Sequence, residues 1–69
     1  MKISARNILP GKIVEYSEGP STARVKIEIA AGLSVTALIT TEAAKDLGLK
    51  VGGKASAVIK ASDVMIGVD

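Results

Sequence analysis

Two short segments at opposite ends of the chain collect groups that donate hydrogen bonds. Ser4-Ala5-Arg6-Asn7 contains a hydroxyl, a guanidinium and an amide, and Lys60-Ala61-Ser62 contains an ammonium and a hydroxyl. A fully ionised tetrahedral oxyanion presents only acceptor atoms, so a site for it must be built from donors, and cationic donors bind it most strongly. Together the segments predict an anion site. Composition alone favours ordinary exposed surface for each segment taken singly.

The chain has few of the residue types that enzymes use for catalysis. It has no histidine and no cysteine, which excludes Ser-His-Asp and Cys-His machinery and removes the usual ligands of transition metals. The seven carboxylates are scattered singly, so paired acid and base catalysis would depend on tertiary contacts. A Ser-Lys pair that uses Lys60 stays open. We predict a protein that is not an enzyme and holds no bare metal cation.

The glycine-rich segment Gly48 to Ala55 nearly matches the phosphate-binding pattern G-x-x-x-x-G-K-[ST]. Ala55 lacks the hydroxyl that would hold magnesium. The predicted order is helix, loop, strand, whereas a phosphate-binding loop runs from a strand into a helix N-terminus. We therefore interpret this segment as a turn that leads into a strand.

Alternation of apolar and polar residues dominates the chain and predicts strands. It is clearest from Ala23 to Ala30, where aliphatic residues alternate with Arg24, Lys26 and Glu28. Gly32 follows this strand and suits the positive φ of a tight hairpin. The pattern predicts strands at residues 11–16, 23–30, 33–40, 54–60 and 64–68, and a further short extended segment at 4–8.

One segment, Thr40 to Gly48, departs from the alternation and predicts a helix of two turns. Thr40 suits the N-cap, Glu42 lies in the first turn, and Gly48 suits the C-terminal end. Its apolar side chains, Ala43, Ala44 and Leu47, would share one face. A short helix between the third and fourth of five strands is the order of an OB-fold barrel. The pattern itself predicts a small closed barrel in one domain, residues 1–69.

The size and composition of the chain indicate that it assembles with copies of itself. A 69-residue chain has little core of its own, and without cysteine no disulfide can stabilise it. Apolar residues make up 48% of the chain, yet Tyr16 is its single aromatic residue. We expect some of the aliphatic surface to face another subunit. No apolar run is long enough to span a membrane and no signal peptide is visible, so we expect a cytoplasmic protein without a membrane partner.

The donor segments lie inside a longer pattern. Residues 4–13, Ser-Ala-Arg-Asn-Ile-Leu-Pro-Gly-Lys-Ile, resemble the opening SARN-x-L-x-G-x-I/V of the molybdate-binding Mop domain. Residues 37–40, 47–52 and 58–65 resemble its later blocks in the same order. The resemblance covers essentially the whole chain, and a chain with one such domain is similar to the free-standing molbindins.

The resemblance implies an all-β, OB-fold-like five-stranded Greek-key barrel with one short helix between strands 3 and 4. It also implies a homohexamer, described as a trimer of dimers, that binds molybdate or tungstate between subunits. Ser4 and Arg6 of one subunit would face Thr40, Lys60 and Ser62 of a neighbour. Backbone N–H groups would come from Ala5 and Ala61. A second class of site would lie on a threefold axis near Gly19, Ser21 and Thr22.

Two residues near these blocks need separate expectations. A carboxylate that pointed into the pocket would repel the ligand, so we predict that Asp63 points away or orients Lys60 or Arg6. Leu38 lies on the otherwise polar face of its strand. It fits a subunit interface as well as it fits a lone exposed leucine.

Three functions compete, and we favour an oxyanion-binding protein for intracellular molybdenum storage or homeostasis. The first alternative is an OB-fold nucleic-acid-binding module. Proteins of that kind stack bases on aromatic side chains, and this chain has only Tyr16 and a net charge of +2. We therefore expect no nucleic-acid partner. The second alternative is a scaffolding oligomer whose anion sites are incidental.

Overall fold

The computed structural model describes all 69 residues and contains four strands, one α-helix and one 3-10 turn. The predicted segments 4–8 and 11–16 become parts of one long first strand, which begins at Asn7. The elements, in chain order, are β1 Asn7–Glu18, β2 Thr22–Ala30, β3 Leu33–Thr40, α1 Thr41–Leu47, β4 Lys54–Ile59 and the 3-10 turn Ala61–Asp63.

The four strands form one antiparallel sheet in the order β3-β2-β1-β4. The first half of β1, Asn7 to Lys12, pairs with β4, and the second half, from Lys12 to Glu18, pairs with β2. The register shifts at Val14 in β1 and at Ile29 in β2. Each shift inserts an extra residue, and such bulges bend a strand and increase its twist. The sheet therefore curls.

The core lies where β1, β2 and β4 face one another across the curled sheet. Ile13, Val25, Ile27 and Ala57 form its centre. The aliphatic residues that alternate through 23–30 and 54–60 are buried or half-buried, because period-two alternation puts them on one face of each strand. Only seven of the 69 residues are buried, however, so one chain alone has a small core.

The helix has the caps that the sequence predicts. Thr40 is the N-cap, and its Oγ1 accepts a hydrogen bond from the N–H of Ala43 at 3.0 Å. Gly48 ends the helix with φ of 65°. Ala44 is buried, but Leu47 is 69% exposed. The prediction that Leu47 shares the buried face is therefore wrong. A seven-residue helix at the end of a sheet buries only a narrow stripe.

None of the helical segments has the length and apolar character that a membrane span requires.

The glycine-rich segment after α1 is a turn that runs into β4, as the sequence predicts. The N–H of Gly52 donates to the carbonyl of Ile13 at 2.8 Å, and the N–H of Ile13 donates to Gly53 at 2.9 Å. These bonds extend the ladder between β1 and β4. Gly52 has φ of 90°, which favours glycine there. The backbone groups of this turn therefore serve the sheet.

The predicted fifth strand at 64–68 is absent from the chain, and the prediction of five strands is wrong for it. Residues 64–69 form no strand and are all exposed. The strands β3 and β4 are the two edges of the sheet and are not hydrogen-bonded to each other. An apolar groove between them is lined by residues that include Val35, Ile39, Leu49 and Ala55. Alternation marks a segment able to pair, but pairing also needs a strand beside it, and neither open edge, β3 or β4, pairs with residues 64–68.

Candidate functional site

The two donor segments leave the sheet side by side. β1 and β4 are antiparallel, and the last residue pair of their ladder is Asn7 with Ile59. Arg6 directly precedes this pair and Lys60 directly follows it. Segments that are more than 50 residues apart in sequence are thus brought to one corner of the sheet. We call this corner the terminal cluster, defined as Ser4, Ala5, Arg6, Lys60, Ala61 and Ser62.

A tight turn shapes the C-terminal half of the terminal cluster. The N–H of Asp63 donates to the carbonyl of Lys60 at 2.9 Å, and the N–H of Val64 donates to Ala61 at 3.3 Å. The first N–H groups of a 3-10 turn have no acceptor inside the turn. The N–H groups of Ala61 and Ser62 are of this kind, so they are placed to donate to a ligand.

The charges of the terminal cluster are accessible and unpaired. Arg6 and Lys60 are exposed, and neither takes part in an ion pair. The two ion pairs of the chain join Lys26 to Glu15 and Lys45 to Glu18. Asp63 is exposed and pairs with neither cation, so it does not orient Lys60 or Arg6 as one of our expectations had it. Two positive charges therefore remain free at this corner.

One side chain fastens the terminal cluster to the sheet. The Nδ2 of Asn7, which is half-buried, donates to the carbonyl oxygen of Ile59 at 3.2 Å. The sequence shows Asn7 beside the donors but gives no sign of this contact. Only the register of β1 against β4 reveals it, because the partner is a backbone atom 52 residues away.

The remaining predicted residues gather at the other end of β1. Thr22, at the start of β2, pairs with Thr40, at the end of β3. The N–H of Gly19 donates to the carbonyl of Thr22 at 2.8 Å, and the N–H of Thr41 donates to the carbonyl of Ser21 at 3.0 Å. We call Gly19, Ser21, Thr22 and Thr40 the hydroxyl cluster. Within one chain, Thr40 therefore lies at the opposite end of β1 from Arg6 and Lys60. The expected grouping, in which Thr40 and Lys60 of one subunit face Arg6 of a neighbour, is not the grouping found within one chain, because the β1–β4 ladder puts Lys60 beside Arg6.

The structure adds Thr41 to the polar groups at this end. Thr41 is buried, and its Oγ1 donates to the carbonyl of Gly19 at 2.7 Å. The hydrogen bond ties the start of α1 to the turn between β1 and β2. Two adjacent threonines are the only sign of it in the sequence, and that sign does not tell which of them turns inward.

The surroundings of the hydroxyl cluster carry both signs of charge. A shallow pocket there is lined by Ser21, Thr40 and Thr41, together with Glu42, Asp46 and other residues. Near it, Glu18 pairs with Lys45 at 3.8 Å and accepts a hydrogen bond from Tyr16 at 2.8 Å, which raises the pKa of the Tyr16 phenol. No three Asp, Glu, His or Cys side chains lie together as a metal site. A dianion would meet two carboxylates and Lys45 here, whereas at the terminal cluster it would meet two cations that have no ion-pair partner.

Comparison with known proteins supplies the family. The TOBE domain family matches residues 3–66, which is nearly the whole chain. This chain belongs to the TOBE domain family. Molybdenum-pterin-binding protein 3 of Clostridium pasteurianum is 52% identical to this chain over 66 residues, which cover 96% of this chain and 97% of that protein. The resemblance to free-standing Mop proteins is confirmed.

Solved structures agree with the architecture. MopII from Clostridium pasteurianum, in an apo form, superposes with a TM-score of 0.90 at 45% identity over 97% of this chain and 100% of that one. The cytoplasmic molybdate-binding protein ModG, solved with molybdate bound, gives 0.94 at 45% identity over 100% of this chain and 49% of its own. These neighbours support an all-β fold with a curled antiparallel sheet and one short helix. The relatives are binding proteins and not enzymes.

Proposed function

We propose that this TOBE-domain protein binds molybdate or tungstate, as one domain of residues 1–69, and serves intracellular storage or homeostasis of molybdenum. The observation that carries the proposal is the terminal cluster, where two free cations and several uncharged donors meet at one corner of the sheet. The names of the relatives support the choice of ligand, since ModG was solved with molybdate bound. The description of ModG as cytoplasmic supports the same location for this chain.

The chemistry of the terminal cluster matches an ion that only accepts hydrogen bonds. Arg6 and Lys60 would neutralise the two charges of molybdate, and charge-assisted bonds are roughly twice as strong as neutral ones. The hydroxyls of Ser4 and Ser62 and the N–H groups of Ala5 and Ala61 would complete the shell. A carboxylate in this shell would weaken binding, and none is paired with its cations.

Thr40 would complete the site from another copy of the chain. Its hydroxyl lies at the far end of β1 from Lys60 within one chain, so it can reach a terminal cluster only across an interface. We therefore propose sites between subunits of a homo-oligomer, with the hexameric arrangement of a trimer of dimers. The small core supports assembly, because only seven residues are buried while Leu38 is 71% exposed.

Assembly would also complete the barrel. The edges β3 and β4 are open, and the groove between them is apolar. The C-terminal segment 64–68 is exposed although its alternate residues are apolar. Apolar surface of this extent is typical of a subunit contact. We propose that the OB-type barrel is closed only in the assembled protein.

The hydroxyl cluster is proposed as the second class of site, on a threefold axis. Ser21 and Thr22 would then donate from three copies at once, so three weak sets would act together. Gly19 would shape the turn between them, because its N–H already donates to the carbonyl of Thr22. Glu42 and Asp46 border the same pocket, and their carboxylates would have to point away from the anion. We therefore expect this second class to bind more weakly than the terminal cluster.

Calorimetric titration tests the proposal. Molybdate and tungstate should release heat at micromolar protein, while sulfate and phosphate should bind more weakly. A pterin alone serves as a further ligand because the relative carries that word in its name. With Tyr16 as the only aromatic residue for stacking, we expect no pterin binding. Absence of heat with both oxyanions would contradict the proposal, and salt-sensitive binding of single-stranded DNA would favour the nucleic-acid alternative.

A further inference from the structure

The side chain of Asn7 joins the start of β1 to the residue before Lys60. Its Nδ2 lies 3.2 Å from the carbonyl oxygen of Ile59, and a carbonyl can only accept, so the amide N–H is the group that faces it. We propose that Asn7 is a positioning residue, which holds the peptide between Ile59 and Lys60 and thereby directs the terminal cluster toward its oxyanion. The ligand in this proposal rests on the function proposed above.

The planarity of the peptide bond transmits the effect. The carbonyl oxygen of Ile59 and the N–H and Cα of Lys60 belong to one planar unit. Holding the oxygen by a hydrogen bond therefore restrains the orientation of this plane and, with it, the position of the Cα of Lys60, from which the side chain starts. Asn7 does not need to touch the ligand to set the position of the ammonium.

The hydrogen bond from Asn7 lies where the ladder of backbone hydrogen bonds between β1 and β4 ends. The ladder between β1 and β4 ends with the pair Asn7 and Ile59. Beyond it, the next restraint is the turn in which Asp63 donates to the carbonyl of Lys60. Lys60 thus lies between two fixed points, the amide of Asn7 on one side and the turn on the other.

No other side chain performs this task. The chain has four hydrogen bonds that involve side chains, and the other three lie at the end of β1 and the start of α1. The bond from Asn7 is the only one that reaches β4. Without it, the peptide between Ile59 and Lys60 would be held by backbone contacts alone and would sample more orientations.

The test compares three variants with the full-length wild type. Asn7→Leu keeps a similar volume but removes the donor, Asn7→Gln keeps a donor on a longer side chain, and Ser56→Ala removes an exposed polar group from β4 as a control. Molybdate affinity is measured by calorimetry. Amide signals of Lys60 and Ala61 are measured by NMR without ligand, and the unfolding midpoint is measured for every variant.

We expect Asn7→Leu to weaken molybdate binding roughly three- to tenfold, the equivalent of one ordinary hydrogen bond. Asn7→Gln should restore part of the affinity, and Ser56→Ala should bind as the wild type does. In the ligand-free protein, Asn7→Leu should move the signals of Lys60 and Ala61 and leave those of α1 in place.

Three results would overturn the inference: wild-type affinity in Asn7→Leu, equal losses in the Leu and Gln variants, or unmoved signals at Lys60. Failure of the wild type to bind molybdate would instead remove the proposed function. The ligand-free signals would still decide whether Asn7 holds the peptide, so the two failures are distinguishable.

Discussion

The two ends of β1 use polar residues in different ways. At the end with the hydroxyl cluster, side-chain oxygens hydrogen-bond to the backbone of the chain: Thr40 accepts from the N–H of Ala43, and Thr41 donates to the carbonyl of Gly19. At the terminal cluster, Arg6 and Lys60 have no ion-pair partner. Groups that already satisfy the backbone contribute mainly to stability, whereas groups left free are available to a ligand. This contrast is why we propose the stronger anion site at the terminal cluster.

We propose that Thr40 connects the two kinds of end, the hydroxyl cluster of one copy and the terminal cluster of another. A hydroxyl has two lone pairs and one proton, so accepting from Ala43 leaves its proton free to donate. The same side chain can therefore cap α1 and contribute to a site on another copy.

Arg6→Ala should lower molybdate affinity by roughly 100-fold or more, because it removes charge-assisted bonds worth about 1.5 to 3 kcal/mol each. The unfolding midpoint should stay unchanged, since Arg6 is exposed and unpaired. Calorimetry and thermal unfolding measure the two effects. Arg24→Ala is the matched control, and wild-type affinity in the Arg6 variant would show that the anion binds elsewhere.

Lys60→Ala should lower the affinity roughly 10- to 100-fold, since an ammonium donates fewer simultaneous bonds to one anion than a guanidinium. Lys54→Ala, at the other end of β4, should bind as the wild type does. The measurement is again calorimetry with molybdate. Equal losses in the two lysine variants would mean that long-range charge is responsible, and the geometry of the corner would then be irrelevant.

Thr40→Asp should preserve the fold and weaken molybdate binding by about tenfold. Aspartate is a good N-cap, so the unfolding midpoint should hold, whereas its carboxylate would repel the anion. Thr40→Ala should instead lower the free energy of unfolding by about 1 kcal/mol, because the N-cap hydrogen bond is lost. Normal binding by the aspartate variant would remove Thr40 from the site and leave the two ends of β1 unconnected.

Leu38→Lys should reduce the fraction of assembled protein, because it places a charge where an exposed leucine is expected to meet another subunit. Val51→Lys, which replaces an exposed apolar side chain in the turn before β4 and outside the apolar groove, is the control. Sedimentation velocity gives the mass of each species. If both variants sediment as the wild type does, the subunit contact does not involve Leu38.

The smallest expected effect is a change in the pKa of Tyr16, which reports only on the end of β1 near the hydroxyl cluster. The hydrogen bond to Glu18 raises the pKa of the Tyr16 phenol, because ionisation would remove the donated proton beside a carboxylate. Absorbance at alkaline pH follows this single tyrosine, and its midpoint should lie above the usual value of about 10. Glu18→Gln should lower that midpoint, while molybdate affinity should remain unchanged. An unaltered midpoint would show that the contact is absent in solution.

Much of the fold follows from local patterns. The alternation from Ala23 to Ala30 predicts β2 and its buried face, and the threonine and glycine caps predict α1 within one residue. Such features depend on neighbours in sequence, which is why they can be read before any contact is known. The continuous strand β1, which passes through Pro10, is harder to predict from the sequence, because proline usually interrupts a strand. It is tolerated here because the first half of β1 pairs with β4 alone.

The sequence by itself determined the chemistry of this protein: donor segments without histidine or cysteine, aliphatic strands and one capped helix. Only the tertiary structure decided that Arg6 and Lys60 flank the same residue pair, that Thr40 lies at the other end of β1, and that residues 64–68 stay unpaired. The physical reason is the range of the interactions. Caps and alternation act within a few residues, whereas the register between β1 and β4 depends on how the whole apolar set packs.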